Sequence, residues 1–216
     1  MSETLSARDE ILRRIREALP GEPVDPAASH ARIERSYRTS EGLSHEACLE
    51  LFLDRLIDYD TEVLQVENQA GIAGAIAAAL RRAGEDKALV AEEFSAAWIP
   101  DGFAFEKDGS LSTEQIEAAQ AVVTTCEVAV ASTGTIFLVH EEAQARRVLT
   151  LLPDHHVIVV RRDQVVGTVP EAMTAVGARM AMPVTTISGP SATSDIEMTR
   201  IRGVHGPRML TVSLYS

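Results

Sequence analysis

The run HHVIVV, His155–Val160, places four consecutive β-branched apolar residues behind two histidines, and TIFLV, Thr135–Val139, is apolar along its length apart from Thr135. A strand with one face in water alternates apolar and polar residues. These runs do not alternate, so both faces must be covered. The segments on either side continue the pattern. AVVTTCEVAVAS (121–132) and TIFLVH (135–140) read as strands pivoting on Ser132-Thr133-Gly134, and a helix is expected near 142–149. Downstream, a helix around 170–179 leads into PVTTIS (183–188), and PRMLTVSLY (207–215) is the last strand. Upstream, TEVLQV (61–66) and KALVAE (87–92) flank the Ala-rich helix GIAGAIAAALRRAG (71–84), which Gly84 closes. Ser112-Thr-Glu-Gln115 is a capping box opening a short helix. Strands alternating with helices predict an α/β domain with a largely parallel sheet flanked by helices.

Before this domain the pattern is helical. LSARDEILRRIREAL (5–19) carries Leu5, Ile11, Leu12, Ile15 and Leu19 at helical spacing behind the N-cap candidate Ser6. Residues 20–40 have little periodicity and read as a linker, and a second amphipathic helix follows at 44–58. The expected division is a helical arm and linker over 1–58 and the α/β domain over 59–216.

The 216 residues are 45% apolar and 24% charged, as in a soluble globular protein. No 18-residue apolar run exists to cross a membrane, and the N-terminus lacks the apolar core of a signal peptide, which makes the cytoplasm the expected compartment. A net charge of -12 repels phosphate backbones and argues against nucleic-acid binding. The two cysteines, Cys48 and Cys126, cannot supply the four thiolates an iron–sulfur cluster normally takes. Cys126 lies in a core-strand run and reads as a buried small hydrophobe. His155 and His156 are adjacent on a strand and point to opposite faces, so they cannot share a metal, and no metal site is expected. Dinucleotide, nucleotide and nucleophile-elbow signatures are all missing from the sequence.

In open α/β sheets, ligands sit beyond the carboxyl ends of strands. Three post-strand loops are therefore of interest: Ser132–Thr135, Arg161–Gly167 and Ser188–Glu197. The last, SGPSATSDIE, is dense in hydroxyls. Ser194 and Glu197 fit a capping box, and a helix cap is the plain reading of them. Ser188, Gly189, Ser191 and Thr193 precede that box and are not explained by it. A strand, a Gly-bearing hydroxyl loop and a helix N-terminus together make an anion seat, although Asp195 competes for the same positive end. In the first loop, Gly134 serves a tight turn, while Thr133 and Thr135 can add hydroxyls to the same site. His205, in Gly203-Val-His-Gly-Pro207, is a turn histidine of the kind that is usually solvated, and with Glu197 and Asp195 it is a catalytic candidate.

Thr133-Gly-Thr135, Leu151-Leu-Pro-Asp-His-His156, GPSATSDIE (189–197) and GVHGP (203–207) occur in that order, and the chain resembles the LutC/YkgG family of lactate utilization proteins, which carry the LUD domain. Ser132 stands where many relatives are expected to carry an acid. The resemblance implies a NagB/RpiA/CoA-transferase-like α/β fold. It also implies work beside iron–sulfur lactate utilization subunits that together oxidise L-lactate to pyruvate. The clusters then belong to a partner subunit, this chain has no cofactor of its own, and a small anionic ligand is expected on the hydroxyl loops. The N-terminal helix is free to dock on the domain, on a second copy or on a partner. A free-standing enzyme of the same fold group (sugar-phosphate isomerase, CoA-transferase or folate cyclo-ligase type) and a non-catalytic assembly subunit are the alternatives.

Overall fold

The computed structural model describes residues 6–19, 25–40, 42–140, 144–193, 201–202 and 206–216. Contacts divide the chain into two compact units, Met1–Tyr37 and Arg38–Ser216. In the first unit, helix α1 (Ala7–Ala18) starts at Ser6, whose hydroxyl accepts from the Asp9 amide. Arg13 bridges Glu10 and Glu17 along its surface. None of its residues is buried, and Ile11, Ile15 and Leu19 remain exposed. A short helix α2 (Pro26–Ala31) is capped by Asp25.

The second unit opens with α3 (His45–Asp58), capped by Ser44. Six parallel strands follow: β1 (Glu62–Val66), β2 (Lys87–Val90), β3 (Ala104–Lys107), β4 (Ala121–Thr125), β7 (His155–Arg161) and β12 (Met209–Tyr215). They are ordered β1-β12-β7-β4-β2-β3. Helix α4 (Ile72–Ala83) ends at Gly84 in the left-handed region, and its Ile72, Ile76 and Leu80 pack on Leu89, Val123, Val157 and Val159. The capping box at Ser112 opens α5 (Thr113–Glu117). A second sheet has the order β8-β5-β6-β9, from β8 (Val165–Val166), β5 (Val128–Val130), β6 (Thr135–Val139) and β9 (Val184–Ile187). Helix α6 (Val169–Val176) covers its outer side through Ala172 and Val176, which pack with Val128, Val130 and Phe137.

The expected strand 121–132 is in fact two strands in two sheets. After Thr125 the ladder breaks: the carbonyls of Cys126 and Glu127 accept from Gln164 Nε2 at 2.7 and 3.3 Å, and the chain leaves the parallel sheet to enter β5. The second sheet then folds over one face of the first. Ala129, Ala131, Ile136 and Leu138 share a core with Ile158, Val160, Val212 and Leu214, joined by Leu49, Phe52 and Leu56 of α3. Phe52 and Leu56 are fully buried, and each contributes roughly 1.5–3 kcal/mol. Helix α3 therefore packs within the compact unit Arg38–Ser216 that holds the α/β sheets.

One further expectation is corrected. No helix passes through the end of 142–149: Ala145 has φ 67 and Arg146 is extended, so the described part is a 3-10 turn over Arg147–Thr150. Near the second hydroxyl loop, β10 (Ala192–Thr193) pairs antiparallel with β11 (Ile201–Arg202).

Candidate functional site

Antiparallel pairing of β6 with β9 sets Ile136 opposite Ile187, which brings the start of one strand beside the end of the other. Two of the sequence-predicted loops meet there. Thr133 donates to Thr135 Oγ1 at 2.7 Å, and Thr135 and Ser188 hydroxyls are 2.8 Å apart. Thr135 also accepts from Thr133, and either Thr135 or Ser188 can supply the hydrogen of their shared bond. The exposed Ser188 is the open end of a three-hydroxyl chain. The third loop joins as well, since the Ser132 amide donates to Gly167 O at 3.1 Å.

The glycines of these loops are steric necessities. At Gly134 (φ 62) a Cβ would lie 2.9 Å from Arg55 Cβ, and at Gly189 (φ 80) one would lie 2.7 Å from Tyr59 Cβ. The Arg55 guanidinium itself bonds Asp58 at 2.9 Å. Ser191 donates its amide to Pro207 O at 2.8 Å. Tyr59 precedes β1 and Pro207 precedes β12, so the hydroxyl loops stand at the amino ends of the parallel strands, not at the carboxyl edge where they were expected. The fold-back of the second sheet puts them there. Thr133, Gly134, Thr135, Ser188, Gly189 and Ser191 are thus gathered, with Thr193 placed on β10. Ser194, Asp195, Glu197 and His205 lie outside the described residues.

At the same amino edge, His155 Nδ1 lies 2.7 Å from Glu85 Oε2 and its Nε2 lies 2.9 Å from Thr211 Oγ1, which in turn donates to Glu62 at 2.9 Å. His156, on the opposite face, bonds Thr124 at 2.8 Å, and burial pushes its pKa down to about 3. Cys48 and Cys126 are buried and not joined in a disulfide, and burial raises the Cys126 thiol well above its usual range.

The carboxyl edge holds a cleft that the sequence did not reveal. After β2 the chain steps outward to β3, whereas after β4 it steps the other way to β7, so the direction of winding reverses between β2 and β4. Beyond that switch point lies an open cleft of about 480 Å³ lined by Glu92, Asp108, Gly109, His140, Ala145, Arg146 and Met182. Asp108 has a nearly buried side chain and is gripped by Arg146, with Nε at 2.9 Å and Nη2 at 2.5 Å from Oδ1. Arg146 Nη2 also donates to Leu111 O at 3.1 Å.

His140 follows β6. Its Nδ1 donates to Ala145 O at 2.8 Å, which leaves Nε2 to accept from Thr185 at 2.5 Å, and Thr185 Oγ1 accepts in turn from Arg147. Burial keeps this imidazole below its ordinary pKa; the Ala145 carbonyl opposes that shift and the Arg147 charge reinforces it. Behind it, Gln144 bonds Glu127 at 3.1 Å, and Arg179 pairs with the same carboxylate. These residues carry no spacing motif. For Glu92 and His140 the available signal was a polar residue closing an apolar run; Asp108, behind Glu106-Lys107, and Glu127, behind Thr124-Thr125-Cys126, carried no such signal. Among the described residues no group of three or more His, Cys, Asp or Glu is placed to hold a metal, and no helix is long and apolar enough to cross a membrane.

The model of the LUD domain matches residues 8–215. Lactate utilization protein C of Deinococcus radiodurans is 41% identical over 212 residues, which is 97% of this chain and 95% of that protein. Lactate utilization protein C of Bacillus subtilis is 24% identical, over 94% of each chain. Uncharacterized protein YkgG of Escherichia coli is 31% identical over 46% of this chain and 45% of its own. A crystal structure of a DUF162 family protein from Deinococcus radiodurans superposes with a TM-score of 0.70 at 39% identity, covering 81% of this chain and 99% of that one.

Proposed function

The chain belongs to the LUD-domain family of LutC/YkgG lactate utilization proteins, and from that premise we propose that it serves in the use of L-lactate as a cytoplasmic, cluster-free subunit. Its partners are iron–sulfur subunits, with which it oxidises L-lactate to pyruvate. The observation that carries this reading is the match along 97% of the chain to a protein named for lactate utilization. The cysteine chemistry supports the division of labour: both thiols are buried, and burial holds that of Cys126 protonated, so neither is offered to a cluster. The chain takes a small anionic ligand, either the 2-hydroxy acid or a phosphate-bearing molecule. The loops bearing Thr133, Thr135, Ser188, Gly189, Ser191, Thr193 and Ser194 are its proposed seat, with the hydroxyl chain ending on the exposed Ser188.

The test is affinity capture of the chain from its own cells grown on L-lactate. Iron, acid-labile sulfide and lactate-dependent dye reduction are then measured in the eluate. Co-elution of all three is the expected result. An iron-free, partner-free protein that turns over a substrate alone would replace this reading with that of a free-standing enzyme.

A further inference from the structure

The cleft at the winding reversal sets an exposed carboxylate, Glu92, and the outer edge of the Asp108-paired Arg146 guanidinium over a small-residue floor. Arg146 spends Nε and Nη2 on Asp108 and Leu111 O, and its Nη1 has no partner among the described residues. The Glu92 carboxylate likewise has no partner among them and lies over Gly109, 3.5 Å from where a Cβ would stand. No ion pair joins Glu92 to Arg146, although both line the cleft.

Both residues are anchored from below. Lys107 donates to the Glu92 carbonyl at 2.7 Å, and the Asp108 amide donates to Val90 O at 2.9 Å, extending the β2–β3 ladder by one residue. His140 has both nitrogens committed, so it offers a ligand in the cleft no ring hydrogen bond. An acceptor carboxylate and a guanidinium edge, separated and facing one small volume, match a ligand that carries a carboxylate beside a hydroxyl. Arg146 takes the carboxylate, and Glu92 accepts from the hydroxyl.

We propose that this cleft, and not the hydroxyl loops, binds the 2-hydroxy acid, with Arg146 holding its carboxylate and Glu92 selecting its hydroxyl. This rests on the lactate reading above and assigns that ligand a place; the hydroxyl loops are then left to the phosphate-bearing ligand.

The experiment is calorimetric titration of the purified full chain with L-lactate, and with propionate, which lacks the hydroxyl. Wild type, Gly109→Leu, Glu92→Gln and the Thr133→Ala/Ser188→Ala pair are compared. Gly109 is not in the left-handed region, and a Cβ added there meets only the Glu92 carboxylate within 4 Å, so Gly109→Leu adds bulk to the cleft lining without straining the backbone. Wild type is expected to bind L-lactate with a Kd on the order of 1 mM and propionate at least about tenfold more weakly. Gly109→Leu weakens L-lactate binding about tenfold or more. Glu92→Gln narrows the gap between the two ligands while leaving propionate nearly unchanged.

Equal binding of lactate and propionate by wild type, no lactate binding by wild type, or undiminished binding in Gly109→Leu overturns the assignment. Binding kept in Gly109→Leu and lost in Thr133→Ala/Ser188→Ala moves the ligand to the hydroxyl loops and leaves the proposed function standing. Lactate binding at the cleft together with a partner-free, iron-free capture would sink the subunit reading alone.

Discussion

His156 is a buried base whose neutrality should be visible in the acid stability of the whole chain. It is 1% exposed, bonds Thr124 at 2.8 Å, and has its pKa pushed from 6.5 to about 3, first by burial and then by the neighbouring His155 and His140. In the unfolded chain the ring protonates near its ordinary value, while in the folded chain it stays neutral. Below pH 6.5 the unfolded state therefore binds the extra proton. The stabilisation is fully present above pH 6.5 and is lost progressively as pH falls toward 3. At pH 5, about 1.5 units below the unfolded value, the loss is about 2 kcal/mol at roughly 1.4 kcal/mol per unit.

The perturbation is His156→Leu combined with Thr124→Val, which removes both ends of the buried bond and leaves neither unpaired. Urea unfolding is followed through Trp98, the single tryptophan, which packs edge-on against Phe94 and Tyr215 at 5.7 and 5.9 Å. Between pH 8 and pH 5 the wild type should lose about 2 kcal/mol more than the double variant. Few carboxylates titrate in that window, and His140 is common to both proteins and cancels in the difference. Parallel pH profiles for the two proteins would refute the argument, because they would show that His156 does not stay neutral in the folded chain.

Gly189→Ala should cost about 2–5 kcal/mol in thermal or urea unfolding, from the left-handed backbone together with the collision at Tyr59. In a Tyr59→Gly background, which removes the Tyr59 Cβ that the new methyl meets, the added cost should fall to the backbone share of about 1–2 kcal/mol, and an unchanged cost there would show that the two residues do not touch. Cys126 should resist maleimide at pH 8 in the native chain and react only as the chain unfolds, since burial raises its pKa; rapid labelling under native conditions would contradict that placement.

The α/β class was legible because HHVIVV and TIFLV announce strands covered on both faces, and α4 announces its own end through Gly84. The assignment of strands to sheets was not legible. Nothing in AVVTTCEVAVAS marks the break at Cys126, because the group that satisfies its carbonyl is the side chain of Gln164, 38 positions away. The short β3 was missed because its residues are exposed or half-buried at a sheet edge, which blurs their alternation. Once the second sheet folds back, a loop that follows a strand no longer faces the carboxyl edge. Thr135 and Ser188 thus meet at the amino ends of the parallel strands rather than at their carboxyl edge.

The same strand that explains this grouping also separates the two proposed sites. Thr135 opens β6 beside Ser188, and His140 follows its last residue, where the His140 amide bonds Pro183 O at 2.9 Å. Five residues at about 3.4 Å each put the two ends roughly 17 Å apart. A ligand the size of lactate cannot touch both, and substitutions at such a distance with no shared partner combine additively. A loss of binding in Gly109→Leu and a loss in Thr133→Ala/Ser188→Ala therefore report on different places. Two fully buried residues of β6 between them, Ile136 and Leu138, pack in the core shared with α3. Only a rearrangement of that core could make one site answer for the other, and such a rearrangement would appear as a lowered unfolding midpoint in the same variants.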